Sequence, residues 1–163
     1  MTIELFRIDD RLIHGQVVVG WGQPLNLDFI VLVDDGVAES EWEQELYRMG
    51  VPPGMEVYFE SVESAAQRMD AFRNDRRKGL LLVGEIETMQ RLVSRAPGIT
   101  AVNVGGVHHM AGRRQRLRYV FLNEQEEAAL RTLAESGVRV SAQDVPASRA
   151  RSLDELLAAS PEP

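Results

Sequence analysis

The segment Asp28-Phe29-Ile30-Val31-Leu32-Val33-Asp34 restricts the fold more than any other stretch of the chain. Its apolar residues run without a break between two acids. A strand with one wet face alternates polar and apolar positions. A continuous apolar run belongs to a strand buried on both faces, as in a parallel sheet covered by helices on each side. Residues 80–83 repeat the pattern, and further strands are predicted over 3–8, 55–59, 99–104, 118–122 and 138–141. Helical spacing fills the gaps. Trp42, Leu46 and Met49 recur at i, i+4, i+7 within 39–49, ending at Gly50 before Pro52-Pro53-Gly54. Ser61 caps a helix carrying Ala65, Met69 and Phe72. Residues 85–95 carry Ile86, Met89 and Leu92, and Asn123 opens a helix that Gly137 closes. A short helix is expected over 153–159, with 160–163 frayed. Strands alternating with helices imply βαβ units, a mainly parallel sheet and right-handed crossovers.

The chain of 163 residues fits one domain, 1–163, with no internal repeat or linker. Its length supports a core without a disulfide or metal staple. Cysteine is absent, which excludes thiolate nucleophiles and Cys-bearing metal sites. With only three histidines no metal site is expected, and no cofactor is implied. Lys plus Arg is 18 against 25 Asp plus Glu, a net charge of −7 that disfavours nucleic acid. The N-terminus lacks a basic region followed by an apolar stretch, and no run is long enough to span a bilayer. A soluble, cytoplasmic protein without direct membrane insertion is expected.

Two glycine motifs fail on inspection. Gly20-Trp21-Gly22 lacks the third glycine of a dinucleotide fingerprint. Gly15 to Gly20 has Trp21-Gly22 where a P-loop needs Lys and Ser/Thr. His108-His109 are adjacent, so they do not form an i, i+4 metal pair.

In open α/β sheets ligands bind beyond the carboxyl ends of strands, so the loops there carry the candidates. The first reads Arg7-Ile8-Asp9-Asp10-Arg11-Leu12-Ile13-His14-Gly15-Gln16. It gathers two guanidinium groups, two carboxylates and one imidazole, and a helix is predicted from Gly15-Gln16, its free N–H groups facing His14. These groups suit a phosphoryl group carried on histidine. A neutral imidazole is nucleophilic, and a carboxylate such as Asp9 or Asp10 can hold one ring N–H. Arg7 or Arg11 can balance the charge on the phosphoryl oxygens. The same cluster also fits an ordinary surface loop of ion pairs around a solvated histidine. The second loop, Asn103-Val104-Gly105-Gly106-Val107-His108-His109, fits either a backbone nest for an anion or a tight turn.

The first loop, extended to Val17, resembles the signature of IIB components of the mannose/fructose/sorbose class of the bacterial phosphoenolpyruvate-dependent sugar phosphotransferase system. The likeness continues through residues 28–35, Pro52-Pro53-Gly54, Asn103 to His108, Glu135 to Val138 and Asp144-Val145-Pro146. It departs at Gly84-Glu85-Ile86, where relatives often carry a polar residue and proline. The resemblance implies a three-layer α/β fold with a mostly parallel, open sheet of about seven strands and helices on both faces. It implies the activity of a protein-N(pi)-phosphohistidine–sugar phosphotransferase, with no cofactor. His14 would take phosphate from a IIA phosphohistidine and pass it to a sugar bound by IIC and IID membrane subunits. Arg7, Asp9, Asp10 and Arg11 match the charged residues around that histidine. Gly15, Gln16, Gly105 and Gly106 would contact the phosphate. Lack of cysteine sets the chain apart from IIB classes that use a thiol. Two alternatives stay open: a regulatory phosphoprotein without sugar transfer, and a non-enzymatic anion-binding domain.

Overall fold

In a computed structural model describing residues 3–158, the apolar run at Phe29–Val33 is a strand with every residue buried. Alternate side chains enter opposite layers. Phe29, Val31 and Val33 join one core; Ile30 and Leu32 join the other. That two-sided burial is the reason the run lacks polar positions.

The elements follow in order. β1 (Ile3–Ile8) leads into a π-helix (Gln16–Trp21), β2 (Phe29–Val33), α1 (Asp35–Ala38), α2 (Glu41–Met49) and β3 (Glu56–Glu60). Next come α3 (Val62–Arg73), β4 (Gly79–Val83), α4 (Ile86–Arg95) and β5 (Ala101–Val104). A hairpin of β6 (Arg114–Leu117) and β7 (Val120–Leu122) precedes α5 (Glu124–Glu135), β8 (Arg139–Ala142), β9 (Arg151–Ser152) and α6 (Leu153–Ala158). Ser61 and Asn123 both cap their helices through reciprocal capping boxes.

Among the described residues, seven strands form one sheet in the order β3-β2-β4-β1-β5-β8-β9. All pairs are parallel except β8–β9. Side chains of α3, α4, α5 and α6 pack in one core with Phe6 and Ile8. The π-helix contributes Val17 and Val18, and α1 contributes Val37, to the other. This is a three-layer α/β fold. The chain leaves β1 toward β2 on one side and leaves β5 toward β8 on the other. The crevice between the adjacent ends of β1 and β5 is therefore a topological switch point.

Three expectations are corrected. Residues 118–122 do not form one strand. Arg118 and Tyr119 instead turn the β6–β7 hairpin, which lies off the main sheet. The seventh sheet strand is β9, whose two residues are too short to leave a pattern. The stretch 39–49 divides at Ser40. The apolar face that predicted it points outward: Trp42 is 66% exposed, Leu46 56% and Met49 81%. The helix holds on through Tyr47, which packs on the second core and meets Phe59. The expected end of the last helix at residue 159 and the frayed 160–163 lie outside the described residues. No described helix is long and apolar enough to cross a membrane.

Candidate functional site

β1 carries Arg7 and Ile8 opposite Asn103 and Val104 of β5. The ladder continues past the strand ends. Asp9 N–H donates to Val83 O at 2.9 Å, Asp10 N–H to Gly106 O at 2.8 Å and Gly105 N–H to Ile8 O at 2.7 Å. The two candidate loops are thus laced together. Leu12 N–H then closes a turn onto Asp9 O at 3.0 Å, with Leu12 at φ 59°. A leucine in this left-handed region costs about 1–3 kcal/mol. The turn returns His14 to Asp9, whose Oδ1 lies 3.8 Å from His14 Nε2. Val18 N–H bonds His14 O at 2.9 Å as the π-helix begins. π-Helical turns are rare and concentrate at functional sites.

Asp9 is fully buried between two arginines. Arg7 Nη2 donates to Asp9 Oδ2 at 3.2 Å. Arg11 donates its Nε to Oδ1 at 2.9 Å, its Nη2 to Oδ2 at 2.8 Å and its backbone N–H to Oδ1 at 3.2 Å. Burial pushes the Asp9 carboxyl up, but the Arg11 hydrogen bonds and the Arg7 charge outweigh it and hold it below its ordinary value.

The two arginines are placed differently. Arg7 is itself fully buried. It donates to Asn103 Oδ1, to Gln143 O at 2.9 Å and to Asp144 O at 3.0 Å, and its guanidinium lies 4.7 Å from the Trp21 ring. Burial lowers its pKa against the opposing pull of Asp9. Arg11 keeps a quarter of its side chain exposed, and its bonds to Asp9 raise its pKa.

The paired glycines serve these side chains. A Cβ on Gly105 would fall 2.2 Å from Arg7 Nη2, and one on Gly106 would fall 2.9 Å from Arg11 Nε. Of the two readings of this glycine pair, anion nest or tight turn, the Gly105 amide does not serve the first here, because its N–H already bonds Ile8 O. Gly15 has helical backbone at φ −52°, so no left-handed conformation demands glycine there. Gln16 opens the π-helix.

Burial lowers the His14 pKa below 6.5, helped by the charges of Arg11, Arg7 and His108 and opposed by Asp9. The imidazole is therefore neutral, and nucleophilic, at neutral pH. Nε2 is shielded from solvent on the Asp9 side. Asp10 does something else: it bonds His108. Arg113 clamps Glu126 through two nitrogens and donates to His108 O at 2.8 Å. His109 meets Phe121 edge-on.

Asn103, Asp144 and Trp21 were absent from the candidates read from sequence. Asn103 stood at the head of the second candidate loop and within a resembling motif, and Asp144 within a resembling motif alone. The Gln143 and Asp144 groups that hold Arg7 are backbone carbonyls, which no residue type advertises.

The family model for the PTS system sorbose subfamily IIB component matches residues 3–162. The chain is 33% identical over 148 residues to the N-acetylgalactosamine-specific phosphotransferase enzyme IIB component 1 of Escherichia coli (strain K12), covering 89% of this chain and 92% of that one. It is also 33% identical to the mannose-specific EIIAB component of the same strain, covering 89% of this chain and 45% of the relative. The crystal structure of the IIBSor domain of the sorbose permease from Klebsiella pneumoniae superposes with a TM-score of 0.87 at 30% identity. That match covers 98% of this chain and 99% of that one.

Proposed function

Since the chain belongs to the sorbose subfamily of PTS IIB components, which transfer phosphoryl groups in sugar uptake, we propose that His14 is its phosphoryl carrier. The donor is the phosphohistidine of a IIA protein, and the acceptor is a sugar handled by IIC and IID membrane subunits. The chain works at the cytoplasmic face as a single IIB domain over residues 1–163. A relative that joins IIA and IIB in one polypeptide supports the choice of donor.

The observation that carries this reading is a neutral histidine held beside the Arg7–Asp9–Arg11 cluster at the sheet's switch point. Nε2 is the shielded nitrogen, so Nδ1 makes the attack. Its lone pair displaces the donor imidazole in line at phosphorus. One N–P bond forms as another breaks, so the exchange is close to isoenergetic. In the second transfer the sugar hydroxyl oxygen bonds phosphorus, the His14 N–P bond breaks with its electron pair returning to the ring, and the imidazole so freed can take the hydroxyl proton. Arg11, partly exposed and pinned by Asp9, meets the phosphoryl oxygens. Arg7 acts from below by fixing Asp9. Gly15 and the start of the π-helix border the phosphoryl position.

The test is incubation with phosphorylated IIA protein, then location of the acid-labile phosphate and of sugar phosphate formed with IIC/IID membranes. Phosphate is expected on His14, and sugar phosphate is expected to vanish in His14→Ala. Undiminished sugar phosphorylation by that variant overturns the assignment.

A further inference from the structure

One ring nitrogen held by a carboxylate and the other turned outward is the arrangement expected of a phosphoryl-accepting histidine. His108 has its Nδ1 held by a carboxylate on a largely exposed side chain. Asp10 grips this residue twice: Oδ2 accepts the backbone N–H at 2.7 Å, and Oδ1 meets the ring Nδ1 at 2.5 Å. A carboxylate only accepts, so Nδ1 carries a ring proton; in the neutral imidazole the lone pair then sits on Nε2. The side chain is 62% exposed. Its loop is braced from the far side, where Arg113 ties His108 O to Glu126. His108 also stands near the reaction. Asp10 is four residues from His14 in sequence and next to Asp9, and its backbone N–H bonds Gly106 O at 2.8 Å, which ties the His108 loop to the His14 loop. The mechanism above makes no use of the pair.

We infer that His108 is a second phosphoryl-accepting histidine, taking the group on Nε2 from a phosphohistidine while Asp10 holds Nδ1–H. The inference rests on the phosphoryl-carrier reading of His14. In the step, the Nε2 lone pair forms a bond to phosphorus in line, the existing N–P bond breaks, and its electron pair returns to the departing imidazole. The proton on Nδ1 stays in the hydrogen bond to Asp10, whose charge offsets the positive charge the ring gains. No oxidant or metal enters the balance. The phosphohistidine is either His14 of the same chain or the donor protein's own.

The experiment compares wild type, His14→Ala and His108→Gln after incubation with phosphorylated IIA protein. Tryptic digestion is done at alkaline pH, because phosphohistidine is acid-labile. Cleavage after Arg11, Arg48, Arg95 and Arg113 places His14 in peptide 12–48 and His108 in peptide 96–113. Wild type is expected to carry phosphate on both peptides, with the Nε2 isomer on 96–113 by phosphorus NMR. His108→Gln is expected to lose it from 96–113. If that label survives in His14→Ala, the donor protein feeds His108 directly; if it disappears, His14 relays it. Phosphate on 12–48 with none on 96–113 overturns the inference and leaves the His14 reading standing. A 96–113 label unchanged in His108→Gln overturns it too, placing the group on His109. No phosphate on either peptide overturns both readings.

Discussion

Replacing Arg7 with methionine separates two roles that a buried arginine beside a reactive loop can play. Methionine roughly preserves the side-chain volume, so cavity formation is a small part of the effect. The charge and its donors are lost. Arg7 bonds Asn103 Oδ1, Gln143 O and Asp144 O, and pairs with Asp9 Oδ2 at 3.2 Å, with both side chains of the pair essentially unexposed. Removing one partner of a buried pair costs about 3–5 kcal/mol. Asp9 retains Arg11, so the lower part of that range, about 3–4 kcal/mol, applies. Against a total stability of about 5–15 kcal/mol this is a large fraction. With a urea slope of about 2 kcal/mol per molar, the unfolding midpoint falls by roughly 1.5–2 M. Trp21 lies over the guanidinium, so its fluorescence reports the same region directly. A midpoint within about 0.5 M of wild type at unchanged slope, that is, a loss below about 1 kcal/mol, would refute the claim that Arg7 holds the site from beneath.

Gly105→Ala tests the same contact from the opposite loop. Its Cβ would lie 2.2 Å from Arg7 Nη2, so a midpoint loss comparable to Arg7→Met is expected in the same urea titration. Arg11→Ala removes one charge-assisted contact to the phosphoryl group, worth about 1.5–3 kcal/mol. Rapid-quench measurement of phosphate uptake should slow about 10- to 100-fold, and an unchanged rate removes Arg11 from the reaction. The His14 pKa is below 6.5, so uptake should stay level as pH falls through 6.5 and decline only further down. Between 6.5 and the folded value the unfolded chain binds a proton that the folded chain refuses. Stability from this group is therefore complete above 6.5 and falls as pH falls through that window. Urea titrations of His14→Asn across the window should lack this component.

Much of the fold was legible because burial on two faces leaves a direct mark on residue type. The runs at Phe29–Val33 and 80–83 could be little else. The hairpin at 114–122 was misread because apolar Val120 and Leu122 fit a sheet strand as well as a satellite ribbon. The spacing of Trp42, Leu46 and Met49 found a helix correctly, yet periodicity says only that one face is apolar, not that anything covers it. The first loop announced itself by composition. What it concealed was the pairing: which carboxylate meets which imidazole depends on the Leu12 turn, and that turn carries no glycine or asparagine to mark it. Gly105 and Gly106 looked like a nest or a turn, because sequence cannot tell a glycine that frees an amide from one that makes room for a guanidinium.

The carbonyls that hold Arg7 lie 136 and 137 residues downstream of it. During synthesis at about 5–20 residues per second, some 7–27 s separate the appearance of the charge from that of its acceptors. Closing those two contacts joins residues far apart in the chain, a high-contact-order step that is slow compared with local helix formation. A chain that stops short of Gln143 lacks both carbonyls that accept from Arg7, and the site is complete from beneath only when the last quarter of the chain is in place.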